Sequence, residues 1–334
     1  MAVYITGDTH GDGSVAKLAP GNFDAAGMTR GDCVIVLGDF GFPWNAPEDG
    51  RDAWWLDWYQ ARPWTTLFVD GNHDNFGALA SYPAEGRFGG TVRRLRENVF
   101  HLMRGQVYEI DGRTFFCMGG ARSVDRAWRT EGADWWPEEV PDAGERARAQ
   151  GKIAAVGGVD YVLTHCPPAN ELRALGAEAG FGAEPDEYAE WLQAEVAGKL
   201  EFRRWFYGHM HVDLPAREPF TPLYHGVFDL DAGTCKGAYD PYPAGGNPIG
   251  VRADEYARFL GCPVEDVERA AYVGLDGSTM GVDADFEPLM YRHDLRRVLR
   301  SMGARPPEGW DRGKPRETYG PAARVSGDDD GRNL

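Results

Sequence analysis

Residues 3–10 of the chain read VYITGDTH, an apolar run that ends in a glycine and is followed at once by Asp8 and His10. Short apolar runs bounded by glycine and aspartate are typical of buried strands. Polar side chains directly after such a strand lie at its carboxyl end, the edge where α/β proteins place their functional sites. The stretch therefore predicts a buried strand that delivers Asp8 and His10 to a site.

Four more fragments repeat this pattern of an apolar run followed by aspartate, asparagine or histidine. They are Gly38-Asp39 after Cys33–Leu37, Gly71-Asn72-His73-Asp74 after residues 67–69, Thr164-His165 after residues 161–163, and Gly208-His209-Met210-His211 after residues 205–207. Alone, each fragment is typical of an ordinary loop. Together they predict side chains that converge at neighbouring strand ends, as a metal centre requires. Glycine precedes the polar residue in four of the five fragments, where a missing side chain lets the backbone turn sharply beside an ion.

The order of apolar patterns along the chain predicts an α/β protein. Further strand-like runs lie at residues 99–103, Gln106–Ile110, 115–118 and 227–230, and helical patterns lie at 51–61, Ala143–Val156 and 186–200. Such alternation is typical of sheets covered by helices. The Asp111-Gly112 dipeptide between two of the runs predicts a hairpin, and hence some antiparallel pairing.

The chain divides into three sections by composition. Residues 1–240 carry all of the fragments above and form the main domain. Residues 237–250 are rich in glycine, proline and tyrosine, which predicts a linker. We expect residues 251–303 to form a small helical accessory unit, and residues 304–334, which contain few apolar side chains, to be a disordered tail.

The accessory unit contains two short helical patterns, at 253–260 and 264–271, spaced like a helix-turn-helix motif. Residues 251–303 carry seven arginines and no lysine against ten acidic residues, a net charge of −3. A DNA-binding unit is expected to present a basic face. The unit is therefore predicted to pack against the main domain or to dock a partner.

The whole chain is acidic, with 35 lysines and arginines against 52 aspartates and glutamates and a formal net charge of −17. A field of this sign repels nucleic acid and anionic membranes. No apolar stretch approaches membrane-spanning length, and residues 1–8 pass directly into a strand-like run without a charged leader. We therefore expect a cytoplasmic protein that binds neither nucleic acid nor membrane.

Five scattered cysteines include no Cys-x-x-Cys pair, which disfavours both a disulfide framework and a zinc ribbon. They are Cys33, Cys117, Cys166, Cys235 and Cys262. Cys166 follows the candidate ligand His165, but a nucleophilic cysteine would need its own base and oxyanion site. We expect reduced, unreactive thiols.

The order of the five fragments resembles the calcineurin-like metallophosphoesterase superfamily over about residues 1–235: Asp-x-His, Gly-Asp, Gly-Asn-His-Asp, a lone His, then Gly-His-x-His. The resemblance implies a metallophosphoesterase domain over residues 1–240, folded as a four-layer αββα sandwich of two mixed sheets, with the helical unit as a small C-terminal appendage. It also implies two metal ions. The first is held by Asp8, His10 and His211, the second by Asn72, His165 and His209, and Asp39 bridges both. This mixed nitrogen and oxygen donor set suits divalent or trivalent Mn, Fe or Zn rather than Ca²⁺.

The resemblance further implies hydrolysis of phosphate esters. Two cations about 3.5–4 Å apart can share a hydroxide at neutral pH and bind phosphoryl oxygens, so that the hydroxide attacks phosphorus in line with the leaving group. His73 resembles the family's general acid, with Asp74 as its orienting partner. The serine/threonine phosphatase branch has Gly-Asp-x-x-Asp-Arg-Gly at the second motif, whereas this chain has Gly38-Asp39-Phe40-Gly41-Phe42-Pro43. A protein phosphatase of that branch is therefore disfavoured.

Substrate contacts are expected from a segment that follows the strand-like run at 115–118. Three arginines of this segment are either phosphate ligands or ion-pair partners of Glu138 and Glu139. They are Arg122, Arg126 and Arg129. Two aromatic-rich segments, 40–64 and 122–141, either wall a pocket or pack helices onto the sheet.

The function predicted from the sequence is that of a phosphomonoesterase or phosphodiesterase acting on a small or nucleotide-like ester. Two alternatives stay open. A nuclease of the same superfamily would use the same ligands but would need a basic groove. A non-catalytic metal-binding scaffold would keep the ligands without turnover.

Overall fold

The computed structural model describes residues 1–11, 14–19, 22–179 and 184–236, and five short strands beyond them. The chain forms two compact units, Met1–Glu178 with Ala183–Tyr239, and Ala179–Gly182 with Asp240–Leu334. The strands of the first unit are β1 Val3–Thr6, β2 Cys33–Leu37, β3 Thr65–Val69, β4 Ala84–Arg87, β5 Gly90–Arg96, β6 Val99–Leu102, β7 Gln106–Ile110, β8 Arg113–Met118, β9 Gly158–Thr164, β10 Glu201–Tyr207, β11 Phe220–Pro222, β12 Val227–Asp229 and β13 Thr234–Cys235.

The helices lie between these strands. The α-helices are α1 Gly50–Gln60, α2 Phe76–Ala80, α3 Ala143–Val156, α4 Ala169–Ala179 and α5 Glu187–Trp191. A π-helical turn, Leu192–Ala197, continues α5, so the helix predicted at 186–200 has two parts. Short 3-10 helices lie at Val15–Leu18, Arg126–Trp128 and Pro137–Glu139.

Eight strands form the first sheet, in the order β13-β12-β1-β2-β3-β6-β5-β4. The central strands β1, β2, β3 and β6 run parallel, and the strands at both sides are antiparallel. Every residue of β1, β2 and β3 is buried, as expected for parallel strands covered on both faces. The carboxyl ends of these three strands therefore lie side by side.

Five strands form the second sheet, in the order β11-β10-β9-β8-β7. β8 to β11 run parallel, and β7 pairs antiparallel with β8. The predicted hairpin joins β7 to β8, with positive φ angles of 55° at Asp111 and 68° at Gly112. Positive φ at both central residues is what a two-residue hairpin turn requires.

The core lies between the two sheets. Ile35 and Leu67 of the first sheet share one apolar cluster with Phe115 and Leu163 of the second. The opposite face of the first sheet packs against α1, whose Leu56 and Tyr59 belong to a separate cluster with Val34 and Phe68. Helix α3 lies beside the start of β7, where a Cβ on Gly105 would be 3.1 Å from the backbone nitrogen of Ala149. The layers are those of the predicted αββα sandwich.

Local sequence fixes the ends of α3, which has the predicted bounds. The Asp142 side chain accepts from the Glu145 N–H, and Glu145 returns a bond to the Asp142 backbone, which completes a capping box. Gly157 ends the helix with a φ of 69°, a conformation that glycine adopts without strain.

After residue 236, the described part of the second unit consists of short strands. β14 Val251–Arg252, β15 Met280–Val282 and β16 Pro288–Met290 form an antiparallel sheet in the order β14-β16-β15, and β17 Ala304–Arg305 pairs with β18 Ala323–Arg324. The sequence did not predict these strands. The helices predicted at 253–260 and 264–271, and most of the tail predicted at 304–334, lie outside the described residues.

Among the described residues, none of the helices combines the length and the apolar composition needed to cross a lipid bilayer.

Candidate metal centre

The five loops singled out in the sequence meet at one edge of the sandwich. Three of them follow β1, β2 and β3, which are neighbours in the first sheet, and two follow β9 and β10, which are neighbours in the second. Nδ1 of His165 donates to the carbonyl of Leu37 at 2.7 Å, which joins the edges of the two sheets. The seven predicted ligand residues are thereby brought together.

Asp8, His10 and His211 form the first cluster of candidate ligands. The Nε2 atoms of His10 and His211 lie 2.9 Å apart, and Oδ2 of Asp8 lies 3.6 Å and 3.1 Å from them, respectively. Tyr224 stacks flat on His211, with ring centroids 4.2 Å apart. Two imidazole nitrogens and a carboxylate oxygen thus face one small volume, a donor set that suits a transition metal.

Asn72, His165 and His209 form the second cluster. Nε2 of His165 lies 3.0 Å from Oδ1 of Asn72, and the ring of His209 stands beside that of His165, with centroids 4.9 Å apart. Because Nδ1 of His165 is committed to the Leu37 carbonyl, Nε2 is the nitrogen left to bind a metal ion.

Asp39 lies between the two clusters. Its Oδ2 is 3.8 Å from Nε2 of His10 and 3.3 Å from Nε2 of His165. Its Oδ1 accepts the backbone N–H of His73 at 2.7 Å. One oxygen is therefore held by the backbone while the other faces both clusters, as a bridging ligand would. Asp8, Asp39 and His165 also have the spacing of a possible metal site.

The burial of these groups fits a bound cation. Asp8, Asp39, Asn72 and His165 are at most 2% exposed. Buried carboxylates are costly unless they are paired or bind a metal. Carboxylates, an amide oxygen and imidazoles are together a donor set for Mn, Fe or Zn.

The charges of the buried groups depend on one another. Burial by itself would raise the pKa of Asp8 and of Asp39, but the neighbouring His165 holds both pKa values well below their usual range. Burial by itself would lower the pKa of His165, but Asp39 and Asp8 outweigh it and raise that pKa to about 10. Loss of solvation, together with the charge on His165, lowers the pKa of His209 to about 3. In the metal-free centre His165 is therefore protonated at neutral pH, and a metal ion has to displace that proton.

The glycines before the ligands make room for ligands from other loops. A Cβ would lie 2.3 Å from Nδ1 of His165 at Gly38, 2.0 Å from Oδ1 of Asp39 at Gly71, and 2.2 Å from Oδ1 of Asp8 at Gly208. All three distances are too short for a real contact. The sequence suggested that these glycines allow sharp turns, and the structure adds that any side chain there would displace a ligand.

Four candidate ligands have a left-handed backbone. The φ angles are 46° at His10, 46° at Asp39, 65° at His209 and 51° at His211. Each such conformation costs a non-glycine residue about 1–3 kcal/mol and persists only where its surroundings impose it. The loops therefore hold these four ligands in a backbone conformation that an unconstrained chain would not adopt.

The family model of the calcineurin-like phosphoesterases matches residues 1–213. The chain belongs to the calcineurin-like phosphoesterase family. Among the solved structures, a candidate 5′-nucleotidase from Staphylococcus aureus in complex with α-ketoglutarate aligns with a TM-score of 0.37 and 15% identity. The alignment covers 71% of this chain and 52% of that one, so the chain spans about half the length of this neighbour. No curated protein matches the chain.

One candidate catalytic residue of this calcineurin-like phosphoesterase, His73, lies beside the first cluster, and the other, Asp74, joins two of the motif loops. The ring centroid of His73 is 5.6 Å from that of His10. Asp74 is buried, and its two oxygens accept the backbone N–H groups of Gly41 and Gly71 at 2.7 Å and 2.8 Å. Asp74 thus ties the second and third motif loops together, a role that the sequence did not indicate.

The three candidate substrate arginines of the phosphoesterase differ in their surroundings. Arg129 pairs with Asp125 at 2.7 Å, a partner that neither of the two alternatives from the sequence had named. The guanidinium of Arg126 lies 4.0 Å from the ring centroid of Trp135. Arg122 is exposed.

The two aromatic-rich segments of the phosphoesterase touch each other and also reach solvent. Trp44 of the first segment meets Trp136 of the second edge to face, with centroids 5.2 Å apart. Trp54 is 58% exposed and Trp128 is 67% exposed. The segments therefore contain both packed rings and rings that a ligand can reach.

One support of the centre, Lys17, was not predicted from the sequence. This lysine is fully buried, and its Nζ donates to the carbonyls of Gly7 at 2.9 Å, of Asp8 at 2.8 Å, and of Tyr224. Burial lowers the pKa of Lys17 to about 8, against the opposing charge of Asp8. Lys17 clamps the Asp8 loop to the tyrosine that stacks on His211, and a lone lysine in a sequence gives no sign of such a role.

Proposed function

We propose that this phosphoesterase uses two metal ions to hydrolyse phosphomonoesters or phosphodiesters of a small or nucleotide-like kind. The observation that carries the proposal is the place of Asp39, whose Oδ2 lies within 4 Å of an imidazole nitrogen in each cluster. A single carboxylate oxygen that faces two separate donor groups is suited to a pair of ions rather than to one.

The residues that would hold the ions are those of the two clusters. Asp8, His10 and His211 would hold one ion and Asn72, His165 and His209 the other, with Asp39 between them. When bound, such a pair of ions supplies a hydroxide at neutral pH and offsets the charge of the phosphoryl oxygens.

The protein's own part is to orient these donors and to deliver a proton. The Leu37 carbonyl fixes which nitrogen of His165 is available. His73, whose backbone is tied to Asp39, would give a proton to the oxygen of the leaving group.

The proposed substrate class rests on charge and on the aromatic segments. A net charge of −17 opposes the approach of a long polyanion. Exposed Trp128, which shares a segment with exposed Arg122, supports a ligand that combines a phosphate with a flat ring. A nucleotide-like ester has both features.

A panel of substrates tests the proposal. Protein reconstituted with Mn²⁺, Fe²⁺ or Zn²⁺ is assayed against p-nitrophenyl phosphate, bis(p-nitrophenyl) phosphate, cyclic nucleotides and single-stranded DNA. We expect turnover of at least one of the small esters, with loss of activity on chelation. Turnover of DNA alone would favour the nuclease alternative, and metal binding without any turnover would favour the non-catalytic scaffold.

A further inference from the structure

Behind the second cluster lies a buried chain of three polar side chains that runs from Asn72 to Ser123 to Glu139. Nδ2 of Asn72 donates to Oγ of Ser123 at 3.1 Å, and that hydroxyl donates to Oε2 of Glu139 at 2.5 Å. The backbone N–H of Ser123 donates to Oε1 of Glu139 at 3.1 Å. All three residues are at most 3% exposed, so water does not compete for these bonds.

The direction of each bond follows from the carboxylate at the end of the chain. An ionised carboxylate only accepts hydrogen bonds, so the Ser123 hydroxyl proton points at Glu139. The lone pairs of Oγ then remain for a donor, and the only donor on the Asn72 side chain is its NH₂ group. This leaves Oδ1 of Asn72 turned toward His165. The orientation matters because the amide oxygen binds a metal ion and the amide nitrogen does not.

The far end of the chain is itself anchored. The carbonyl of Glu139 accepts from Nη2 of Arg104 at 3.3 Å, and Arg104 in turn binds the buried carboxylate of Asp70 through Nε at 2.7 Å. Burial raises the pKa of Glu139, and the bonds from Ser123 and the charge of Arg126 offset part of this rise. Glu139 is therefore held in place, and through Ser123 it sets the orientation of the Asn72 amide.

We propose that Ser123 and Glu139 are positioning residues that keep the Asn72 amide oxygen aimed at the second metal ion. The inference rests on the two-metal site of the proposed function, although it concerns metal binding rather than turnover. It also gives the 122–141 segment a role, since Ser123 ties this segment to the third motif loop.

The test is a Mn²⁺ titration of metal-free protein, followed by the EPR signal of free Mn²⁺. In Ser123→Ala the second equivalent of Mn²⁺ should bind about 10–100-fold more weakly, the usual effect of removing the partner of a metal ligand. The first equivalent, held by Asp8, His10 and His211, should keep its affinity. Glu139→Gln should also weaken the binding of the second equivalent alone, but by a smaller factor. The double variant should bind the second equivalent as tightly as Ser123→Ala does, because Glu139 acts through the Ser123 hydroxyl.

The matched control is Glu138→Gln, which removes the same charge from the same short helix at an exposed position and should leave both affinities unchanged. Equal weakening of both equivalents, or no change in Ser123→Ala, would overturn the inference. If Glu139→Gln fails to fold, Ser123→Ala decides alone. Parent protein that binds two Mn²⁺ ions but hydrolyses no ester refutes the proposed function only, whereas parent protein that binds fewer than two refutes both.

Discussion

The backbone of His73 is tied to the site, as the backbone of His209 is through its bonds to Asp8. The His73 N–H holds Oδ1 of Asp39 at 2.7 Å, and its ring lies beside His10 without belonging to either ligand cluster. This placement suits a group that delivers a proton to a substrate bound at the ions. It also separates the role of the ring from that of the ligands, which makes the role testable.

We predict that His73→Ala keeps both metal ions and slows hydrolysis of alkyl esters by about 10²–10⁴-fold, the usual contribution of general acid catalysis. Hydrolysis of p-nitrophenyl esters should fall much less, since p-nitrophenolate leaves without a proton. Turnover of both substrates is compared in parent and variant, with metal content measured alongside. An equal loss on both substrates, or loss of metal, would show that His73 supports the site and does not act as its acid.

His165 gives the centre a dependence on pH. In the metal-free protein the carboxylates of Asp39 and Asp8 raise the pKa of His165 to about 10, so its ring is protonated at neutral pH. A metal ion binds Nε2 only after that proton leaves, and binding should therefore release a proton and weaken about tenfold per pH unit as the pH falls.

Calorimetric titration with Mn²⁺ at pH 7, in buffers of different ionisation enthalpy, measures this release. We expect the apparent binding enthalpy to vary with the ionisation enthalpy of the buffer. The slope should correspond to at least one proton released when both metal ions bind. An enthalpy that is the same in every buffer would show that His165 is neutral before the metal binds.

The glycines at the strand ends allow the ligands of the centre to lie close together. Gly71→Ala should destabilise the fold by at least about 1–3 kcal/mol, the cost of overpacking, because the new Cβ meets the Asp39 side chain. Metal binding should weaken with it. Gly151→Ala in α3 is the control: nothing lies within 4 Å of its Cβ, and the change should stabilise the helix by up to about 1 kcal/mol. Chemical denaturation gives the free energy of unfolding of both variants. Similar values would show that Gly71 does not need to lack a side chain.

The sequence predicted those elements that have a strong local pattern. The buried parallel strands, helix α3 and the Asp111-Gly112 hairpin follow from apolar runs, a helical pattern and a known turn dipeptide. The β4–β5 hairpin was missed for an equally local reason. β4 is largely exposed, β5 is mostly half-buried and contains three arginines, and the turn begins with a positive φ at Phe88, a residue type that gives no turn signal.

Supports from distant parts of the chain could not be predicted from the sequence. Ser123 is 51 residues from Asn72, and Lys17 is 207 residues from the Tyr224 carbonyl that it binds. A serine or a lysine has no local pattern that marks a partner so far away. The ligands were predictable because each follows a strand. Ser123 and Lys17 reach the site only through tertiary contacts, which the local sequence does not specify.

For the whole molecule, the boundary of the catalytic part can be tested by shortening the chain after Gly303. The cut removes β17 together with its partner β18, so no strand of the two main sheets loses a neighbour. We predict that the melting temperature and the turnover change little. A large drop in either quantity, measured by thermal denaturation and by ester hydrolysis, would show that residues 304–334 contribute to the folded unit.

If a pair of metal ions shares Asp39, Asp39→Asn should hold less metal than the parent protein. The amide keeps the shape of the carboxylate but cannot offset two dications. Elemental analysis of parent and variant, purified side by side, should give two equivalents per chain in the parent, fewer than two in Asp39→Asn, and no turnover in the variant. Two full equivalents of metal in an active Asp39→Asn protein would show that the two ions do not depend on a shared Asp39 carboxylate.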